Sequence, residues 1–479
     1  MVTPPAALTA RTREIPADDP RAHVPLLQLL PDRSAVSWVR DGAGLVGWGV
    51  AARYETAGQH RFHDADTWWH ELCAAADVDD ELGLPGTGPV AFSSFAFADR
   101  PGRSVVVVPR VVVGSRDGVR WITTIGEQDA TGRQVQPVAH PGEVRFHDGR
   151  LTPAAYRDAV ASAVEVLRAP GELRKVVLAH DLLATTGSPV DPRFLLGELA
   201  HRYPSCWTFA VDGLVGATPE LLLERTGSRV RSQVLAGTCW PRPGASADEL
   251  AAGLLDSAKD RIEHAFAAES VAAELRPFCG ELAVPEHPEV LRLRNVLHLA
   301  SRITGRLHEH AASNRAGSLL QLGSALHPTA AVGGTPTAAA VELIGRLERM
   351  DRGRYAGPVG WLDAAGNGEL GIALRCAQIE RPAPTGDDLA AVAGSRAVGS
   401  GAADSGAAGS GAAGSGAAGS GADEGSAAES CAAGDGAAEG GGRVRMFAGG
   451  GIVADSDPDM EVAEAAAKLR PMREALLAE

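Results

Sequence analysis

RVRMFAGGGIVADSDPDMEVAEAAAK, residues 443–468, is the stretch whose reading decides the fold. Its first part reads as a strand, and the adjacent Gly449, Gly450 and Gly451 read as a turn in which backbone N–H groups come close to an anion. From Pro458 the pattern is helical and runs on through KLRPMREALL. Glu461, Glu464 and Lys468 stand three and four residues apart, so they share one helical face. Taken alone, such a face is a solvated surface with a Glu–Lys pair. Its place directly after the glycines is what argues for a binding site.

Working outward, residues 382–442 differ in kind from the rest. The run SGAAGSGAAGSGAAGSGA (405–422) repeats every five residues and lacks apolar bulk. It cannot bury enough surface to offset its chain entropy and is predicted to be a disordered insertion within a strand–loop–strand connection. It contains GxGxxG at 409–414 and 414–419. No strand precedes these glycines and no helix follows, so a dinucleotide-binding turn is excluded. Upstream, ELGIALRCAQIE reads as one strand, paired through the turn at Ala365–Gly368 with GPVGWLD. Arg375 lies inside it between apolar residues, where an arginine usually meets an anion.

Further upstream a long amphipathic helix is predicted over about Ser246–Leu275. It carries SAKDRIEH, with Asp260, Glu263 and His264. Read alone this is a polar helix surface. Two carboxylates from distant helices, Glu263 and Glu464, are nevertheless what Mg²⁺ takes, with water and substrate oxygens filling its octahedron. Lys175 opens the strand KVVLAHDLLAT. Such a lysine either snorkels outward, the commoner outcome, or is held in a pocket where its pKa falls and it can act as a base. Glu220 follows Pro219 at the start of an apolar strand, where a solvated strand end is the plain reading. His298, in NVLHLAS, reads as a hydrogen-bonded structural histidine. Residues 1–150 are Val-rich strand-like runs bounded by Gly, Pro and Asp, and this part reads as architectural.

Composition narrows the classes. The chain has 479 residues, 45% hydrophobic and 22% charged, with net charge −15. No basic block suggests a nucleic-acid partner. No apolar run is long enough to span a bilayer, and the first residues lack a signal-like apolar core. The six cysteines are scattered, so neither zinc nor a disulfide framework is indicated. A cytoplasmic protein, monomeric by default, is expected.

In order, KVVLAH, GATPELLLE, VLAGT, SAKDRIEH, VLHLAS, LHPTAAVGGTP, YAGPVGWLD, LRCAQIE and AGGGIVADSDPDMEVAEAAAK resemble the chorismate-utilising enzymes. The resemblance covers roughly residues 150–479. It implies an α+β fold of stacked, mainly antiparallel sheets flanked by helices. Residues 151–381 and 443–479 would form the catalytic part, and 1–150 the divergent β-rich part of the same fold. It further implies that Glu263 and Glu464 hold Mg²⁺, with Glu461 and Asp260 supporting the metal. Gly237, Thr238, His298, Arg375, Gly450, Gly451 and Lys468 are implied to contact chorismate.

Among family members, the amine-adding enzymes typically carry Gln or another non-basic residue where this chain has Lys175. A water nucleophile needs a base, so Lys175 points to the isochorismate- or salicylate-forming members and away from a glutaminase partner. Salicylate-forming members tend to carry Thr where Ala331 stands, so Ala331 resembles the branch that stops at isochorismate. The resemblance then implies that Lys175 deprotonates water and protonated Glu220 serves the departing hydroxyl, with both pKa values moved toward neutrality. The product would feed menaquinone or siderophore synthesis. Three departures from the family are His180, where Arg is usual, Gly450, where Ala is usual, and the low-complexity insertion between the strand bearing Arg375 and the glycines.

Overall fold

The computed structural model describes residues 8–126, 134–240, 242, 244–294, 296–313, 317–380 and 441–478. Most of the predicted insertion, 381–440, lies outside the described residues, as does Cys431. Among the described residues, two large sheets of 13 and 10 strands organise the fold. Neighbouring strands are antiparallel except for Thr9–Glu14 beside Asp77–Asp80. Residues before 150 contribute to both sheets: Val36–Arg40 pairs with Trp207–Val211 in the first, and Val90–Ser94 with Pro358–Asp363 in the second. The fold is α+β, as the resemblance implied.

The Val-rich run from Ser104 shows how the sheets are joined. Arg103–Val108 belongs to the second sheet and Val111–Arg116 to the first, with Pro109 and Arg110 between them. Valines throughout both strands are buried, on both faces of each strand. Between the sheets, Glu369 accepts from the indole N–H groups of Trp38 (3.0 Å) and Trp207 (2.9 Å) and from Arg116 (3.1 Å). Trp38, Trp207 and Arg116 stand on the first sheet and Glu369 on the second, so this carboxylate ties the layers together.

Two more crossings place the site. Leu214–Thr218 of the first sheet passes into Leu221–Thr226 of the second through Pro219 and Glu220. Gly368–Ile372 of the second passes into Cys376–Glu380 of the first through Ala373, Leu374 and Arg375. The predicted single strand ELGIALRCAQIE is therefore two strands in different sheets. Arg375 has φ 48°, left-handed backbone that only a turn away from the sheet requires. The crossings are bonded to each other, Ile372 N–H to Glu220 O at 3.2 Å and Ala217 N–H to Arg375 O at 3.2 Å.

The helix predicted over Ser246–Leu275 is likewise two, Ala247–Asp256 and Ala258–Leu275. Ser257 breaks it: its hydroxyl accepts from Asp260 N–H and caps the second helix, a start signal inside a polar run. The glycines read as a turn belong instead to the strand Gly442–Ile452, which pairs with Lys175–Thr186 such that Val177 faces Gly451 and Leu178 faces Gly450. The helix Pro458–Leu476 follows, beginning at Pro458 as the sequence indicates, with the Asp457 side chain accepting from Met460 N–H as its cap.

Candidate active site

A cleft of about 790 Å³, counting its mouth, opens where the two sheet crossings meet the end of the Lys175 strand. Of the residues singled out in the sequence, Glu220, Gly237, Thr238 and Glu263 line it. So do His298, Ala331, Arg375, Gly450, Gly451, Glu464 and Lys468. Segments 248 residues apart in sequence converge here, from Glu220 to Lys468.

Lys175 does not snorkel. Its side chain is 1% exposed, and its ammonium donates to Glu263 Oε1 at 3.1 Å. It stands directly behind Gly451, where a Cβ would lie 2.6 Å from Glu263 Oε1 and 2.7 Å from Lys175 Cε. That crowding explains the glycine: its φ is ordinary, but no side chain fits between lysine and carboxylate. The backbone there is strand, and glycine serves close approach of side chains.

Glu220 is buried at the crossing, and among the described residues no hydrogen bond reaches its carboxyl. Burial pushes this carboxyl up to about 8, against the downward pull of Lys175, Arg375 and Lys468. At neutral pH it carries a proton and can give it away. His298 is held at about 3 by burial and by the neighbouring Arg375 and Lys468. Neutral His298 meets Thr238 Oγ1 (3.2 Å) and Gly237 O (3.4 Å) through Nδ1, and the Arg375 guanidinium (3.4 Å) through Nε2. These partners assign the ring proton to Nδ1 and leave Nε2 to accept from Arg375. Arg375 makes no ion pair among the described residues, so a half-buried guanidinium faces the cleft without an anion. Burial lowers its pKa, which remains that of a permanent cation. Gly237 has φ 78° at a bulge in Arg229–Cys239, and this turns Thr238 toward His298.

The four acidic residues divide into two pairs. Glu263, from Ala258–Leu275, and Glu464, from Pro458–Leu476, face the cleft. Lys468 caps Glu464 Oε1 at 2.6 Å and donates to Gly449 O at 2.9 Å. Although burial raises its pKa, Lys468 holds the Glu464 carboxyl below the usual range. Asp260 and Glu461 do not line the cleft. Asp260 accepts from the Ser257 hydroxyl and from Thr238 N–H (3.3 Å). Glu461 accepts from Ser456 Oγ at 2.8 Å and pairs with Lys259 at 3.7 Å. Burial, with the charge of Glu464, pushes Glu461 up to about 7.

Among the described residues no three His, Cys, Asp or Glu side chains converge tightly enough to hold a metal. Glu263 and Glu464 line the cleft with carboxylate oxygens, the donor type that a hard divalent ion takes together with water or substrate oxygens.

Tyr355, Arg352, Phe447 and Leu374 also line the cleft, and the sequence reading assigned none of them a role. Tyr355 stacks on Phe447 with ring centroids 5.1 Å apart. The segment RGRYAGPVG held the signal, an arginine and a tyrosine just before a buried strand.

A family model described as chorismate binding enzyme matches residues 5–385 and 429–477. A salicylate biosynthesis isochorismate synthase of Pseudomonas aeruginosa is 30% identical over 478 residues, covering 92% of this chain and 84% of its own. The isochorismate synthase DhbC of Bacillus subtilis is 42% identical over 241 residues, 48% of this chain and 59% of its own. The solved structure of MenF, the menaquinone-specific isochorismate synthase of Escherichia coli, has this fold. Its TM-score is 0.70 at 21% identity, over 100% of this chain and 96% of that one. With the match spanning both sheets and every wall of the cleft, the chain belongs to the chorismate-binding enzyme family.

Proposed function

We propose that this protein is a Mg²⁺-dependent isochorismate synthase. The observation that carries this reading is one cleft holding a protonated glutamic acid, Glu220, near a buried lysine, Lys175. The near-full-length similarity to an isochorismate synthase supports it.

Arg375 and Lys468 bind the carboxylates of chorismate, and Tyr355 and Phe447 wall the ring. Lys175, once its ammonium has given up a proton and stands as the neutral amine, takes a proton from the water whose oxygen bonds to ring C2. The ring double bonds shift, the C4–O bond breaks, and Glu220 protonates the departing hydroxyl, so one water enters and one leaves. His298 stays neutral and orients the Arg375 guanidinium. Bound Mg²⁺, held by Glu263 and Glu464, would neutralise charge on the ring carboxylate. Ala331 leaves that wall of the cleft small, which favours release of isochorismate over further elimination to salicylate. Lys175 favours water over ammonia, so no glutaminase subunit is required. The product serves menaquinone or siderophore synthesis.

The test is incubation of the purified protein with chorismate and Mg²⁺ in ¹⁸O-water, without glutamine or ammonia. Isochorismate bearing one solvent oxygen is expected. Anthranilate, aminodeoxychorismate or salicylate as main product, or unlabelled isochorismate, overturns the reading.

A further inference from the structure

Glu348 and Arg352 form an ion pair sealed in the wall of the cleft, with side chains 1% and 3% exposed. Arg352 Nε donates to Glu348 Oε2 at 2.9 Å and Nη2 to Oε1 at 2.5 Å. The same guanidinium donates to Val177 O (2.7 Å) and Val332 O (3.1 Å), and it lies over the Phe97 ring at 4.2 Å. Glu348 Oε1 in turn accepts from Ala179 N–H at 2.7 Å.

These partners are two chain segments that both matter to the site. Val177 and Ala179 belong to the strand that Lys175 opens, and Val332 follows Ala331 in the loop before Gly334. The segments also touch directly, Val177 N–H to Gly333 O at 2.9 Å and Arg174 N–H to Thr335 O at 2.8 Å. A buried ion pair is poor evidence of stabilisation, since well-packed apolar residues often serve as well. What a guanidinium adds is a rigid fork with fixed donor directions. Arg352 directs that fork at protein acceptors, whereas Arg375 leaves its own facing the cleft. Although both line the cavity, only Arg375 is available to an anion.

We infer that Glu348 and Arg352 are a positioning pair for catalysis. They fix the spacing between the strand bearing Lys175 and the loop bearing Ala331, so that base and opposing wall keep one geometry. This rests on the proposed roles of Lys175 and Ala331.

Two variants test it, the apolar double variant Glu348→Leu/Arg352→Met and the single Arg352→Lys, which keeps the charge without the fork. For a positioning pair, both fold with melting temperatures near wild type, and kcat falls about 100-fold, as displacing reacting groups by about an ångström does. KM stays within about threefold. Hydrogen exchange then rises over Lys175–Asp181 and not over Val90–Ser94. Unchanged turnover per folded molecule overturns the inference, as does a raised KM at preserved kcat, which would make Arg352 a substrate ligand. If the double variant does not fold, Arg352→Lys decides alone. Wild-type product identity, measured alongside, reports on the proposed function separately, because the kcat-against-KM split is read on whatever product forms from chorismate.

Discussion

Two glutamates where the same two sheets meet, Glu369 partly buried and Glu220 buried, live under opposite conditions. Glu369 is met by two indole N–H groups and a guanidinium, so its charge is fully used in holding the sheets together. Glu220 sits at a crossing between those sheets with no hydrogen bond to its carboxyl among the described residues, and burial keeps its proton on to about 8. A satisfied carboxylate contributes to structure. An unsatisfied one costs stability and keeps a proton ready for transfer. The same division separates Arg352, committed to protein acceptors, from Arg375, left open to the cleft.

Variants can break this contrast, beginning with the largest expected effect. Lys175→Gln removes the base and should lower turnover by about 10⁴-fold while chorismate still binds, as steady-state kinetics and calorimetry would report. Glu220→Gln keeps shape without the transferable proton and should lower turnover by about 10³-fold. It should also stabilise the protein. A carboxyl whose folded pKa is raised supports folding below its unfolded value of 4.5 and loses that support as pH rises toward about 8. The melting temperature of Glu220→Gln should therefore exceed that of wild type, with the gap widening across that interval and levelling above it. Gly451→Ala places a methyl 2.6 Å from Glu263 Oε1 and should lower turnover about 100-fold. Glu369→Ala should do the reverse of Glu220→Gln. Stranding its donors should cost on the order of 1–3 kcal/mol in denaturant titration and leave turnover per folded molecule unchanged.

How far the sequence reaches can be judged from the same residues. The start of the last helix at Pro458 was legible because a proline in the first turn is local chemistry. The ordered segments pointed to the family, and most of the site residues singled out within them do line one cleft. Features that depend on partners far along the chain were not legible. Nothing local says that Arg375 takes left-handed backbone between two sheets, or that Gly451 is small because Lys175 and Glu263 meet beside it. Lys175 reads as a snorkelling residue until the segments that cover it are in place. Arg352 was missed for the same reason, since the backbone carbonyls it holds lie 175 and 20 residues away. Ser257 is the exception, a local cap signal hidden in a run that otherwise reads as continuous helix.

The central claim is that Glu220 reacts as a protonated acid because burial denies it a partner. The pH dependence of kcat/KM for chorismate, wild type against Glu220→Gln, tests it most directly. Wild-type kcat/KM should fall as pH rises through about 8, and the residual activity of Glu220→Gln should be flat across that range. A wild-type profile with no descending limb there, or the same limb persisting in Glu220→Gln, would contradict it.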